Sequence, residues 1–284
     1  RKADINTLII PEENGPAAAL VDGLTILTAG SIKELVAHFN DESSLPEYIA
    51  DLEDTLHPQI TDHLDFADVR GQETAKRALE IAASGSHNCL YTGPPGSGKS
   101  MLSKRMASIL PPLTFEESLE VSKIHSIAGM LPKGHQIIRE RPFRSPHHSI
   151  SGAGMVGGGS YPKPGEISLA HKGVLFLDEL PEFPRGIIDL LRQPIEEKRV
   201  VISRAKTTLE FPSDFILLAA MNPCPCGYLG DPAHECNCSA AGIIKYRSRI
   251  SGPMMDRIDL QVEMPNLDYE EMNFSEKGES SKQI

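Results

Sequence analysis

No run of apolar residues in this 284-residue chain reaches the ~18 that a membrane-spanning helix needs. An excess of basic charge is missing too: 28 Lys and Arg stand against 39 Asp and Glu, a net charge of −11. That balance argues against nucleic-acid binding over the whole surface, while leaving room for a local basic channel. The first residue is Arg1, not Met, and the charged n-region and apolar h-region of a secretory signal are lacking. A cytoplasmic location with no membrane partner is therefore expected, for a piece of a longer chain. Cysteine is scarce, and four of the five lie between Cys224 and Cys238. What is present in quantity is apolar: 40% of residues, enough for the core of one large domain or two smaller ones.

Local patterning is densest between Tyr91 and Ser103. Gly93 to Ser100 reads G-P-P-G-S-G-K-S and matches G-x-x-x-x-G-K-[ST] at every fixed position. Cys89 to Thr92 reads as a short buried strand before it. Leu102, Met106, Ile109 and Leu110 recur at helical spacing after it. Strand, glycine loop and helix together make a phosphate cradle, with backbone N–H groups converging on anionic oxygens at a helix N-terminus. The contact set is Gly93, Pro94, Pro95, Gly96, Ser97, Gly98, Lys99, Ser100 and Met101. Lys99 is expected to reach the β- and γ-phosphates of ATP, and Ser100 to ligate Mg²⁺. A plain Gly/Pro turn before a helix is the simpler alternative.

A second candidate lies at Val174 to Glu179, V-L-F-L-D-E. Four apolar residues ending in two acids read as a buried parallel strand with carboxylates at its C-terminal end, where α/β sheets place their chemistry. Asp178 is expected to hold Mg²⁺, and Glu179 to polarise an attacking water. The alternative is a strand ending at a solvated acidic turn.

The remaining chain is organised around these two segments. Residues 1–40 read strand–helix–strand–helix: Leu8 to Ile10, Pro11 to Ala19, Leu24 to Leu27, and a helix to Phe39 capped by Ser31 with Glu34 three residues on. Residues 41–65 are acidic and read as a linker. An amphipathic helix from Glu73 to Ala83 precedes the loop. Another, Thr114 to Ile124, opens on a Thr114/Glu117 capping box. Residues 125–173 form an insertion rich in Gly, Pro, Ser and His, expected to be partly ordered, with Gln136 to Arg139 as a short strand. Pro184 to Glu197 reads as a helix kinked at Pro194. Residues 199–211 read as a hairpin with a basic tip, Ser203-Arg204-Ala205-Lys206, and Arg199, Arg204 and Lys206 are candidate DNA contacts or a solvated surface. Phe215 to Met221 is a further buried strand, Ala240 to Ile250 a helix. Residues 266–284 form a polar tail whose last stretch, Glu276 to Gln283, looks disordered or truncated.

Cys224, Cys226, Cys236 and Cys238 are spaced C-x-C, nine residues, C-x-C. In a cytosolic chain that cluster suggests tetrahedral Zn²⁺, with His234 able to replace one thiol; reduced free thiols or a disulfide remain open.

In order, G-P-P-G-S-G-K-S, F-R-S-P-H-H-S-I-S-G-A-G-M-V-G-G-G, V-L-F-L-D-E, A-A-M-N-P-C-P-C-G and S-G-P-M-M-D-R-I-D-L resemble the magnesium-chelatase-related AAA+ ATPases, most of all their competence-associated ComM (YifB-like) branch. The resemblance runs from about Leu8 to Pro265. It implies an α/β fold: a P-loop NTPase AAA+ core at 66–265, preceded at 1–40 by the end of an S5/Lon-protease-like α+β domain. It implies Asn222 as the sensor of the γ-phosphate, Arg257 as an arginine finger acting on a neighbouring subunit, and Val69, Gly71 and Gln72 near the adenine. The insertion around Lys133 to His148 and the hairpin would face a pore. A homo-hexameric ring would drive DNA helicase or branch-migration work in natural transformation or recombination; a metal-insertion ATPase of the magnesium-chelatase type and a nucleotide-gated scaffold are the alternatives. The sequence departs from the family in two places. A helical lid with its sensor-2 Arg is not visible after Pro265, and the N-terminal domain is incomplete.

Overall fold

Four separate sheets appear among the described residues of the computed structural model, which describes residues 5–18, 23–49, 64–131, 137–159, 162–204, 207–266 and 278–284. They belong to two compact units, Arg1–Thr61 with Pro132–Ile137, and Asp62–Leu131 with Ile138–Ile284.

In the first unit β1 (Thr7–Pro11) and β2 (Thr25–Ala29) pair in parallel, Leu8 opposite Ile26. The start signals at Pro11 lead into a 3-10 turn, Glu12–Asn14, before regular helix at Gly15–Ala18. Helix Ile32–Phe39 is capped as expected: Ser31 Oγ accepts from the Glu34 N–H at 3.4 Å, and the Glu34 carboxylate accepts from Ser31 Oγ at 2.9 Å. The acidic stretch is not all linker. Leu45 is buried, its N–H donates to His38 Nδ1 at 3.3 Å, and Glu47 bridges to Leu27. One apolar side chain and one bridge hold residues 41–49 to the strand pair despite their charge. Residues 50–63 lie outside the described residues.

The second unit contains β3 (Cys89–Thr92), β4 (Phe143–Arg144), β5 (Gly157–Gly158), β6 (Lys163–Pro164), β7 (Val174–Leu177), β8 (Arg199–Arg204), β9 (Thr207–Pro212), β10 (Ile216–Met221) and β11 (Leu260–Glu263). Five form one parallel sheet in the order β11-β3-β10-β7-β4. A parallel sheet covered on both faces needs strands apolar on both faces, and β7 and β10 are buried at every position. Alternation sends Leu175, Leu177, Leu217 and Ala219 into one layer with Met155, Ile167 and Ile188. Val174, Phe176, Leu218 and Ala220 enter the other with Leu79, Leu102 and Met106. The helix Glu73–Gly85 covers this second face through Ala75, Ala78, Leu79 and Ala82.

Several elements differ from the sequence reading. The helix after the loop breaks at Arg105 into Lys99–Lys104 and Met106–Ile109. The Arg105 guanidinium is buried and donates to Asp65 O at 2.7 Å, Met101 O at 3.0 Å and Asp68 Oδ2 at 3.1 Å. The helix Phe115–Ala128 carries the Thr114/Glu117 capping box and runs past Ile124 to Gly129. The helix expected at 184–197 divides at Leu191, not Pro194, into Arg185–Leu190 and Arg192–Glu197. Pro194 then sits in a first turn, where its missing N–H would have had no intrahelical partner.

Of the strand expected at Gln136 to Arg139, Gln136 lies outside the described residues and 137–139 carry no strand. The insertion instead contributes β4, the sheet edge, held by a two-fold hydrogen-bonded ion pair between Arg144 and Glu166 at 2.6 and 2.7 Å. Met155, Ile167, Leu169 and Ala170 bury it in the core. At the C-terminus, residues 278–284 are placed: Ser281 Oγ accepts from the Phe66 N–H at 2.8 Å, and the Ser281 N–H donates to Asp65 Oδ1 at 3.2 Å. These bonds use polar groups, which is why a polar composition reads as disorder. No helix among the described residues is long and apolar enough to cross a membrane.

Candidate nucleotide site

Parallel register aligns the C-terminal ends of three strands. Thr92 of β3 lies opposite Met221 of β10, and Ala219 of β10 opposite Leu177 of β7. The residues that follow leave from one sheet edge: the loop from Gly93, then Asn222, then Asp178 and Glu179.

Close approach dictates glycine at the loop's base. A Cβ at Gly93 would stand 2.2 Å from Met264 O. Gly96 and Gly98 have φ of 84° and 88°, in the left-handed region. Lys99 folds back into the loop and donates to Gly93 O at 2.7 Å, Pro94 O at 2.8 Å, Ser97 Oγ at 3.3 Å and Asn222 Oδ1 at 3.4 Å. Burial pushes the Lys99 pKa down, against the opposing pull of the Asp178 and Glu179 carboxylates. The ammonium thus sits among acceptors that a phosphate can replace.

Ser100 Oγ donates to Asp178 Oδ2 at 2.5 Å. A hydroxyl and a carboxylate in contact at a helix N-terminus are oxygen donors that suit Mg²⁺. Glu179 has φ 52°, and its N–H donates to Asp178 Oδ1 at 3.0 Å. That turn leaves the Glu179 side chain 57% exposed. His148 Nδ1 stands 3.5 Å from Glu179 Oε2, with His147 stacked on it at 4.0 Å and Phe183 edge-on at 6.3 Å. The histidine is separated from Glu179 by 31 positions of chain, and the only signal for it was the F-R-S-P-H-H segment.

Gln72 also reaches the loop. Its Nε2 donates to Ser97 O at 3.1 Å and to Pro265 O at 2.8 Å. Gly71 and Gln72 both have positive φ, and Val69 is buried beside Tyr91 and Leu102. Met101 is exposed on the first turn after Ser100.

Arg257 is not brought to this site within the chain. Its carbonyl accepts from Asn88 Nδ2 at 2.9 Å, and Asn88 precedes β3, whereas the phosphate loop follows it. Its guanidinium is held by Glu196 and Pro253 O. Arg199 lies at the foot of the hairpin, between Glu197 and Glu210, each 3.2 Å away. Its charge is thereby neutralised locally. The Arg204 side chain and Lys206 lie outside the described residues.

The four cysteines of the loop after β10 converge, with all four sulfurs within 4.8 Å of one another. Cys224–Cys226, Cys226–Cys236 and Cys224–Cys236 are 3.3, 3.6 and 3.7 Å apart between sulfurs. A tetrahedron with Zn–S bonds of ~2.3 Å has edges of ~3.8 Å, so this donor set fits zinc. All four cysteines are free. A hydrogen bond from the Tyr228 backbone, with help from the neighbouring thiols, holds the Cys226 thiol down to about 6. The Cys226 N–H itself donates to Cys238 Sγ at 3.4 Å. His234 is turned elsewhere, 3.4 Å from Asp231 Oδ1 and stacked on Tyr228 at 4.7 Å, so the four-thiol set is complete without it.

A parallel sheet with a G-x-x-x-x-G-K-S loop, an acid pair and an asparagine at one edge is the nucleotide-binding core of an AAA+ protein. The family model for magnesium chelatase, subunit ChlI, matches residues 65–272, and the chain belongs to that family, on its ComM/YifB-like branch. It is similar to competence protein ComM of Haemophilus influenzae, 43% identical over 281 residues, which is 98% of this chain and 54% of that protein. YifB of Salmonella typhimurium is 44% identical over 260 residues, 91% of this chain and 50% of that one. The magnesium-chelatase 38 kDa subunit of Rhodobacter capsulatus is 27% identical over 176 residues, 56% of this chain and 50% of that one. The chain thus spans about half the length of these relatives. In structure it matches a chain of the BchI–BchD magnesium chelatase complex with a TM-score of 0.51 and 24% identity, over 72% of this chain and 63% of that one, a likeness of fold.

Proposed function

We propose that this chain is the ATP-hydrolysing core of a ring-forming motor that acts on DNA in the cytoplasm. The observation that carries the reading is the meeting of Lys99, Ser100, Asp178, Glu179 and Asn222 at one sheet edge while Arg257 lies at the other. Mg²⁺ held by Ser100 and Asp178 would supply charge neutralisation between the β- and γ-phosphates. Lys99 binds the same phosphates and Asn222 orients the γ-phosphate. Glu179 orients and polarises the attacking water, and Gln72 with Val69 and Gly71 borders the base. Arg257 completes the site of the next subunit in a homo-hexamer. The four thiolates hold zinc. Residues 1–40 form the end of an S5/Lon-like domain.

Support for DNA as the load comes from the similarity to a competence protein and from the basic hairpin tip at Arg204 and Lys206. Support for the second reading, a metal-insertion ATPase, comes from the more distant similarity to the magnesium-chelatase subunit. Longer protein containing this core, assayed on forked and four-way DNA, separates the two. ATP-dependent strand separation is expected, with DNA affinity falling steeply between about 50 and 200 mM salt. Arg204→Ala with Lys206→Ala should weaken that affinity and flatten its salt dependence, whereas Arg199→Ala should do neither. Robust ATPase without effect on any DNA would favour metal insertion. No ATPase at all, with or without DNA, would leave only a nucleotide-gated scaffold.

His148 is a positioning residue in this reading. Its ring lies against Glu179 and is itself held by Phe183, so it restricts where that exposed carboxylate points. His148→Ala should lower kcat about tenfold with little change in nucleotide affinity, and His148→Asn should recover part of the loss. Equal losses in affinity and turnover would show that the histidine only supports the fold.

A further inference from the structure

Residues 222–239, all described, carry no helix or strand, although β10 ends just before them and the helix Ala240–Arg247 begins just after. A loop of that length without regular structure is uncommon in a compact unit unless something other than backbone pairing holds it. Apolar burial is not enough: Cys224 is buried, but Cys226, Cys236 and Cys238 are half-buried and Leu229 is exposed. The four sulfurs are the feature that ties its beginning to its end.

This loop also touches the nucleotide site twice. Asn222, whose Oδ1 accepts from Lys99, stands two residues before Cys224. Gly227, one residue after Cys226, packs on the phosphate loop so closely that a Cβ there would lie 2.7 Å from Pro95 Cδ and 3.9 Å from Asn222 Cγ. Its φ of 90° gives the same preference for glycine. Behind Asn222, Arg247 Nε donates to Pro223 O at 3.2 Å, and the Tyr246 hydroxyl is hydrogen-bonded to the Asn222 backbone.

We propose that the four-cysteine site is a metal brace for nucleotide binding: zinc on Cys224, Cys226, Cys236 and Cys238 holds Gly227 against Pro95 and holds Asn222 in line with Lys99, so metal occupancy sets nucleotide affinity. This inference rests on the zinc reading above and is independent of what the motor moves. Cys224 and Cys226 bracket the turn that ends on Gly227. Without the metal, the turn keeps the Cys224 O to Gly227 N–H bond of 3.0 Å and the weak Cys226 N–H to Cys238 Sγ contact of 3.4 Å, while the bonds from Arg247 and Tyr246 hold Pro223 and Asn222 but not Gly227. Pro95 and the Asn222 side chain then lose Gly227 as their common backing, and the acceptors around Lys99 are less well preorganised.

The test uses the longer protein with excess Mg²⁺ and without DNA, so that a failed motor reading leaves it intact. Zinc is measured by elemental analysis, and affinity with a fluorescent ADP analogue. About one zinc per chain is expected. Stripping it with a chelator under reducing conditions should weaken nucleotide binding about tenfold, and returning zinc alone should restore it. Cys236→Ser should reproduce the stripped state. Gly227→Ala should retain zinc yet lose affinity to a similar degree, which keeps the proposal exposed even where the cysteine variant fails to fold. Glu235→Ala, in the same loop, should change neither quantity. Less than about half an equivalent of zinc in untreated protein overturns the metal site. Full zinc occupancy with unchanged affinity in both the stripped protein and Gly227→Ala overturns the brace.

Discussion

Glu179→Gln should stop turnover while nucleotide remains bound. The amide keeps the size of the carboxylate and the turn at φ 52°, but it cannot accept a proton or polarise water as a carboxylate does. Removal of such a group costs about 10²–10⁴-fold in rate. Affinity should hold, because in the proposed site phosphate is bound by Lys99, the loop N–H groups and Ser100, and Glu179 contributes none of that contact. Lys99→Ala gives the opposite profile, since it removes the buried cation that now occupies the Gly93 and Pro94 carbonyls. Equilibrium nucleotide binding and steady-state phosphate release, measured on both variants, distinguish the two roles. A Glu179→Gln protein that turns over at the wild-type rate would remove the residue from the chemistry.

Arg257→Ala should lower kcat about 10³-fold or more, and the loss should be repaired in part by mixing. The geometry behind this is the length of β3. Asn88 binds the Arg257 carbonyl at one end of the strand and the phosphate loop leaves the other. Four residues at about 3.3 Å each separate them by about 13 Å, more than an arginine side chain spans. Arg257 therefore has no route to the nucleotide of its own subunit. Equal parts of Arg257→Ala and Glu179→Gln subunits, mixed at random, put an intact Glu179 opposite an intact Arg257 at about a quarter of interfaces. About a quarter of wild-type turnover is then expected. Activity no greater than the sum of the two variants alone would sink the shared site. In the proposed ring the guanidinium would have to leave Glu196 to reach the next subunit, so Glu196→Gln should raise turnover at limiting protein concentration.

The parts of the fold that were legible share one property: their determinants lie within a few residues. The phosphate loop was legible because its glycines, lysine and serine satisfy each other's backbone requirements inside eight positions. The Thr114/Glu117 box closes within one turn. The strands β3, β7 and β10 were legible because a strand buried on both faces is apolar at nearly every residue. What was missed depends on remote partners. Arg105 breaks its helix to reach Asp65 and Asp68. Phe143–Arg144 is the edge strand, while 137–139 carry none, because Arg144 has Glu166 to pair with and β7 to lie against. Leu45 and Ser281 are packed in stretches whose composition reads as linker and tail.

By itself the sequence determined the chemistry available: a glycine-rich loop ending in lysine and serine, an aspartate–glutamate pair at a strand end, and four thiols in one loop. Residue type and short-range spacing suffice for that, since each motif carries its own backbone geometry. Only the tertiary structure decided who meets whom. Parallel register brings Asn222 to Lys99 and keeps Arg257 at the far end of the same sheet. The insertion's packing carries His148 to Glu179. The turn at Gly227 sets the cysteine loop on Pro95 of the phosphate loop. Those contacts join residues tens to more than a hundred positions apart, and nothing local in either partner encodes the distance between them.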